Sequence, residues 1–173
     1  MASVPEGLKK AAVLCVLRHQ AKGRSQEFLL LKRLKEPNQG LYTPVGGKLD
    51  PYENALTAAI RETKEETGIN VSTMKYCGTL VETSPTKYNW INFVYLADID
   101  RVPPPPCNEG ELRWIPFSEI LSVPTPKTDW FIYDYILQNR PFAFHADFDE
   151  QINLIKMIDA LTGEVVYPKP DNG

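Results

Sequence analysis

Apolar residues follow two rhythms along this chain, and the rhythms separate strands from helices. Ala11–His19 and Glu27–Leu34 are nearly continuous runs rich in Val and Leu, parted by polar residues around Gly23, and they predict two strands. Leu41–Gly46 is a shorter apolar approach that ends at Gly46-Gly47. Val71–Glu82 and Trp90–Ile99 predict two more strands, with Pro85 and polar residues between them. The four prolines Pro103–Pro106 cannot carry a ladder and predict a loop. Glu111–Ile115 reads as a short strand and Phe117–Leu121 as one helical turn. Thr128–Asn139 has apolar residues at 130, 131, 133, 135 and 136 and predicts a helix packed on the sheet, capped by Thr128 or Asp129. Phe142–Phe148 and Ile152–Ile158 predict a late strand pair.

A different rhythm runs through Gly47–Ile69. Leu56, Ala59, Ile60 and Thr63 recur at helical spacing and form a stripe that can pack on a core. Asp50 suits the N-cap of this helix, Pro51 its first position, and Glu53 can close a capping box. Gly68 supplies a left-handed stop. Roughly a quarter-turn from the apolar stripe, at about 100° per residue, stand Glu62, Glu65 and Glu66. Their i, i+3, i+4 spacing puts three like charges on one face, which weakens a bare helix. A hard divalent cation reverses that penalty, because Mg²⁺ binds through carboxylates together with substrate phosphates. Ala55 and Ala58 fall on the carboxylate side and, being small, are expected to leave room above the glutamates.

Composition narrows the setting. The 173 residues suit one domain with a real core, expected over 1–167, with 168–173 as a frayed tail. A formal charge of −3 gives no basic footprint for a nucleic-acid polymer. No apolar run reaches the roughly 20 residues of a membrane span, and no secretory h-region opens the chain. Cys15, Cys77 and Cys107 form no CxxC pair and read as reduced thiols of a cytoplasmic protein. With His19 and His145 as the two histidines, a zinc site or a His-based triad is not expected. There is no internal repeat.

Gly47, Glu53, Arg61, Glu62, Glu65, Glu66, Gly68 and Ile69 together resemble the signature box of the Nudix hydrolases. Chance would place such a set in register in roughly one chain per million. Thr63 departs from the pattern, which usually has an apolar residue there; its methyl group predicts a small packing cost and no loss of chemistry. The resemblance implies an α/β fold, a mixed sheet sandwiched by helices, with the box as a loop–helix–loop beside it. The element order read above is compatible with that architecture.

The resemblance also implies a reaction: attack of water on a nucleoside diphosphate linked to another group, with Mg²⁺ or Mn²⁺ as cofactor. It assigns Glu62 and Glu66 as the main metal ligands, Glu65 as a further ligand or supporting carboxylate, and the Gly46 carbonyl as an added oxygen. Glu62 or a nearby glutamate is the candidate to activate the water. Arg61 can hold phosphate or tie down the loop, and the orienting role is favoured. Glu53 is weighted toward the cap. A carboxylate from outside the box is expected, with Glu109 first and Glu111 and Glu82 as alternatives. Trp90 and Asn92, with Glu111, are the substrate-side candidates, drawn from aromatics that are otherwise core.

Substrate choice rests on weaker resemblances. The NEGELRW segment, the helix 128–139 and the RPFAF strand look similar to the branch that hydrolyses oxidised purine nucleoside triphosphates such as 8-oxo-dGTP to monophosphate and pyrophosphate. Pro85, sixteen residues past the box, is a position where ADP-ribose-cleaving relatives often carry proline, although SPTKYN lacks the glycine-rich run that follows there. The triphosphate reading is favoured. A non-catalytic nucleotide-binding regulator is the alternative of another class; such domains tend to lose box glutamates, and all are present. A small nucleotide is the expected partner, with the protein a monomer or homodimer.

Overall fold

The long apolar runs are buried on both faces because the sheet feeds two cores, one on each side. The computed structural model describes residues 7–23 and 25–171. On strand β1 (Lys10–His19), Val13, Cys15 and Leu17 enter one core while Leu14 and Val16 enter the other. Strand β2 (Glu27–Arg33) divides the same way, with Leu29 and Leu31 on the first side and Phe28 and Leu30 on the second. Side chains alternate along a strand, so a strand covered on both faces must be apolar at every position.

The remaining strands are β3 (Tyr42–Thr43), β4 (Val45–Lys48), β5 (Lys75–Thr83), β6 (Trp90–Asp98), β7 (Gly110–Pro116), β8 (Phe142–Phe148), β9 (Leu154–Asp159) and β10 (Glu164–Tyr167). They form one mixed sheet in the order β10-β9-β8-β5-β6-β1-β2-β3, with β4 paired to β1 and β7 to β2. The β1–β6 and β5–β8 pairs are parallel and the others antiparallel. Helix α1 (Ala55–Thr67) covers the first core through Ala58 and Ala59. Helix α2 (Lys127–Leu137) covers the second through Ile132, Tyr133, Tyr135 and Ile136. The result is a mixed α/β fold with a large sheet and few helices.

Several elements differ from the reading of the sequence, each for a local reason. Helix α1 starts four residues later than expected, because Asn54 takes the N-cap in place of Asp50 and its side chain accepts a 2.9 Å hydrogen bond from Thr57 N–H. Asp50 and Glu53 do make the reciprocal contact of a capping box, Asp50 N–H to Glu53 Oε1 at 2.8 Å, but around a turn that precedes the helix. Gly68 ends α1 in the left-handed region with φ 73°. Ala58, expected beside the carboxylates, is fully buried in the first core. Thr63 is buried too, and its hydroxyl is satisfied by the Ala59 carbonyl at 2.8 Å.

Strand β5 begins at Lys75 because Val71 packs with Ile69 against the α1 core and lends its apolar character to that packing. Helix α2 is capped by Pro126, with no side-chain cap, and both Thr128 and Asp129 lie buried inside it. Strand β9 starts at Leu154, after a turn in which Asp149 accepts hydrogen bonds from the backbone of Gln151 and Asn153. Strand β10, four residues long, gave too short an alternation to read. In the expected tail, 168–171 carry no helix or strand, and 172–173 lie outside the described residues.

The position of the α1 cap has a direct test. Asn54→Ala is expected to cost about 1 kcal/mol in urea unfolding, and Asp50→Ala less than about 0.5 kcal/mol. The reverse order would return the cap to Asp50.

Candidate active site

One guanidinium organises the acidic face of α1. Arg61 donates from Nε to Glu53 Oε2 at 3.0 Å, and from Nη1 to Glu62 Oε1 at 2.8 Å and Glu65 Oε2 at 3.2 Å. Its Nη2 reaches Glu53 Oε1 and, at 3.2 Å, the Lys48 carbonyl. The planar fork thus ties the loop before α1 to the carboxylate stripe. Hydrogen bonds from Arg61, then from the Asp50 N–H, hold the Glu53 carboxyl below its ordinary range.

Glu62 and Glu66 face inward. Burial pushes the Glu62 carboxyl up, opposed by Arg61. Burial pushes Glu66 up to about 8, against the pull of a 3.3 Å hydrogen bond from the Gly46 N–H. Two glycines make this closeness possible. A Cβ on Gly47 would run into the Glu62 carboxylate, and one on Gly46 into the Val13 carbonyl of β1. Gly46 is therefore required by the neighbouring strand, whatever its own carbonyl binds.

Both glutamates line a cavity of about 520 Å³ together with Gly46, Gly47 and Glu109. Among the described residues, no three His, Cys, Asp or Glu side chains are drawn together into a finished metal site. Like-charged carboxylates do not converge unaided, and Glu62 is neutralised by Arg61. The donor chemistry nevertheless suits a hard divalent cation: carboxylate oxygens beside closely approaching backbone.

The other candidates separate clearly. Glu65 is 58% exposed at its side chain and lies outside the cavity lining, as does Arg61. Glu109 is exposed at the rim. Glu111 is exposed on β7, opposite Lys32 of β2, and does not line the cavity. Trp90 and Asn92, on β6, do line it. Glu82 of β5 is buried there as well, accepting from Tyr88 O–H at 2.8 Å and Asn92 Nδ2 at 2.9 Å, with its carboxyl raised by burial to about 7.

Asp129 is the group that the sequence reading missed. It lines the same cavity, only 5% exposed, and burial, then the nearby charge of Glu82, raises its carboxyl to about 8. The signal was present: Asp129, Ile132, Tyr133 and Ile136 form the buried i, i+3, i+4, i+7 stripe of α2, so an acid sits where an apolar residue is expected. Elsewhere the thiols are free, and burial raises Cys15 to about 12, which makes it inert.

A raised carboxyl binds its proton more tightly in the folded state than in the unfolded chain, where Asp titrates near about 3.9. The Asp129 contribution to stability is therefore full below that value and is lost as pH rises toward about 8. Asp129→Asn should raise Tm over the natural protein at pH 8, with the gap closing by about pH 4. A gap that stays constant across this range would contradict a buried, protonated Asp129.

The architecture has known counterparts. Residues 8–139 match the family described as NUDIX domain. The ADP-ribose pyrophosphatase of Saccharomyces cerevisiae is 34% identical over 84 residues, covering 48% of this chain and 33% of the yeast protein. The putative 8-oxo-dGTP diphosphatase YtkD of Bacillus subtilis is 44% identical over 57 residues, covering 33% of this chain and 35% of its own length. The chain thus spans only about a third of the length of these two relatives. The crystal structure of the MutT protein from Bacillus halodurans superposes with a TM-score of 0.74 over 88% of this chain and 98% of that one, at 22% identity, which shows a shared fold. With its family region running from β1 through α2, the chain belongs to the Nudix family of hydrolases.

Proposed function

We propose that the protein hydrolyses the phosphoric anhydride of a nucleoside triphosphate, with an oxidised purine nucleotide as the favoured substrate, releasing monophosphate and pyrophosphate. The observation that carries this reading is one shared cavity. The inward glutamates of α1 line it together with the polar and aromatic side chains of β5, β6 and α2, which supports a reading in which one space receives both the phosphates and the base.

In this reading Glu62, Glu66 and the rim carboxylate Glu109 would hold Mg²⁺ or Mn²⁺, with backbone oxygen at Gly46. The cation, when bound, neutralises phosphate charge and makes bound water more acidic. Glu62 is the candidate to take the proton of the attacking water, since it faces the cavity and its pKa is raised above that of an exposed glutamate. Arg61 keeps Glu62 in place and lies outside the lining, so we assign it an orienting role. Glu65 would support Arg61 through their 3.2 Å contact. A reducing compartment such as the cytoplasm fits the three free thiols.

Cleavage of ADP-ribose is the second reading, favoured by Pro85 and by the yeast relative named for that activity. A non-catalytic regulator fits less well, because Glu62, Glu65 and Glu66 are all retained.

A Mg²⁺-dependent screen across oxidised and ordinary nucleoside triphosphates, ADP-ribose and dinucleoside polyphosphates separates these readings. Oxidised purine triphosphates are expected to give the highest kcat/KM, and ADP-ribose at the head of the ranking would overturn the preferred substrate. Glu62→Gln should lower kcat on the best substrate by about 10²–10⁴-fold with the fold intact. An unchanged rate would remove Glu62 from the chemistry.

A further inference from the structure

The sheet has a second layer on its α1 side at one end only. Helix α1 packs on β1 and β4 and touches β6 slightly, while α2 and the turn Phe117–Ser122 lie on the other side. Among the described residues, β5, β8, β9 and β10 are therefore left without a covering helix there. Strand pairing sets one residue from each of these strands in a single row on the open side: Val81, His145, Ile158 and Val165. Their neighbours Leu80, Phe144, Met157 and Val166 point the other way, into the α2 core. The three aliphatic side chains of the row are half-buried and His145 is exposed. The β5–β8 pair is parallel, and parallel strands are seldom left open to water on one face.

Beside this row, Asp147 of β8 stands opposite Lys156 of β9 on the same open side. Both are exposed, and neither makes an ion pair among the described residues. Lys9 feels the Asp147 charge, but its Nζ donates to the Glu82 carbonyl at 2.8 Å, to Thr83 at 2.7 Å and to Asn89 at 3.2 Å. An apolar row flanked by one free acid and one free base is complementary to itself turned over. That is the requirement for an interface in which both partners use the same patch.

We propose that this open face binds a second copy of the chain, about a two-fold axis running along the strands between β8 and β9. In that register β8 lies over the partner's β9, and β5 over the partner's β10. Asp147 then meets the partner's Lys156, and Lys156 the partner's Asp147. His145 covers the partner's Ile158, and Val81 the partner's Val165. The pairings that align these residues within one sheet are the ones that set them opposite each other across the axis. Four strands at about 4.8 Å each give a face about 19 Å wide, at the small end of specific interfaces, so a micromolar Kd is expected. The pairing is independent of the reaction proposed above, since Glu82 of the cavity wall points to the opposite side of β5 from Val81.

The test is analytical ultracentrifugation of the natural chain and its variants over a concentration series at low salt, where charge contacts are least screened. The natural chain is expected to show a monomer–dimer equilibrium. Asp147→Lys and Lys156→Asp, each alone, should weaken it about tenfold or more, because like charges then face each other at two symmetric places. An equimolar mixture of the two variants should dimerise again to within about threefold of the natural chain, since every lysine then meets an aspartate. A change of stability within one chain cannot produce that recovery. Val165→Lys, on a different strand, should weaken the dimer about tenfold or more by charging the apolar row, and it keeps the test decisive if either charge variant does not fold. A natural chain that stays monomeric, variants that dimerise as it does, or a mixture that fails to recover would each overturn the proposal. Hydrolysis of nucleotides is scored separately, so its failure would sink the proposed reaction and leave the dimer standing.

Discussion

The Arg61 guanidinium is the constraint on which the rest of the site depends. Three glutamates within five residues repel one another, and a helix carrying them needs a counter-charge to keep its shape. Arg61 supplies it from inside the stripe, bonding to Glu62 and Glu65 on its own helix and to Glu53 in the loop before it. The same contacts draw the loop against the helix and bring the Lys48 carbonyl within reach. Glu62 and Glu66 then turn inward, beside glycines whose missing side chains leave the space.

The sheet does the complementary work. The side chains of β6 alternate between the two cores, and Trp90 and Asn92 share the parity of Val94 and Leu96 in the α2 core. In register with them, Glu82 lies on β5 opposite Trp90, and Leu80 opposite Asn92. Helix α2 closes the wall with Asp129 on its buried stripe. The two ends of the cavity thus come from local patterns that never meet in sequence, joined by the pairing of β1 with both β4 and β6.

Much of this was legible in the chain, and what was not has physical reasons. The glutamate stripe, the Gly68 stop and the long doubly buried strands announce themselves by period. The α1 cap did not, because Asp-Pro-x-Glu makes half of a capping box around a turn that precedes the helix, and Asn54 competes for the same end. Asp129 was read as a cap residue because an acid near a helix start usually is one; its place on the apolar stripe carried the opposite message. Glu82 appeared only as an alternative metal ligand, since nothing in an alternating strand says that Tyr88 and Asn92 will converge on it. Glu111 drew attention through its neighbours in sequence, but strand pleating turned it to the surface.

The separation of the cavity's two ends along the chain has a consequence for how such a protein changes over time. Glu109 aside, the carboxylate end is written between residues 46 and 66, and the wall of β5, β6 and α2 between residues 82 and 129. Substitutions in the later stretch can reshape the wall without disturbing Arg61 or the glycines beneath Glu62. The site is in this sense two inheritances in one cavity: a reaction kept by one short segment, and a choice of ligand free to drift in another.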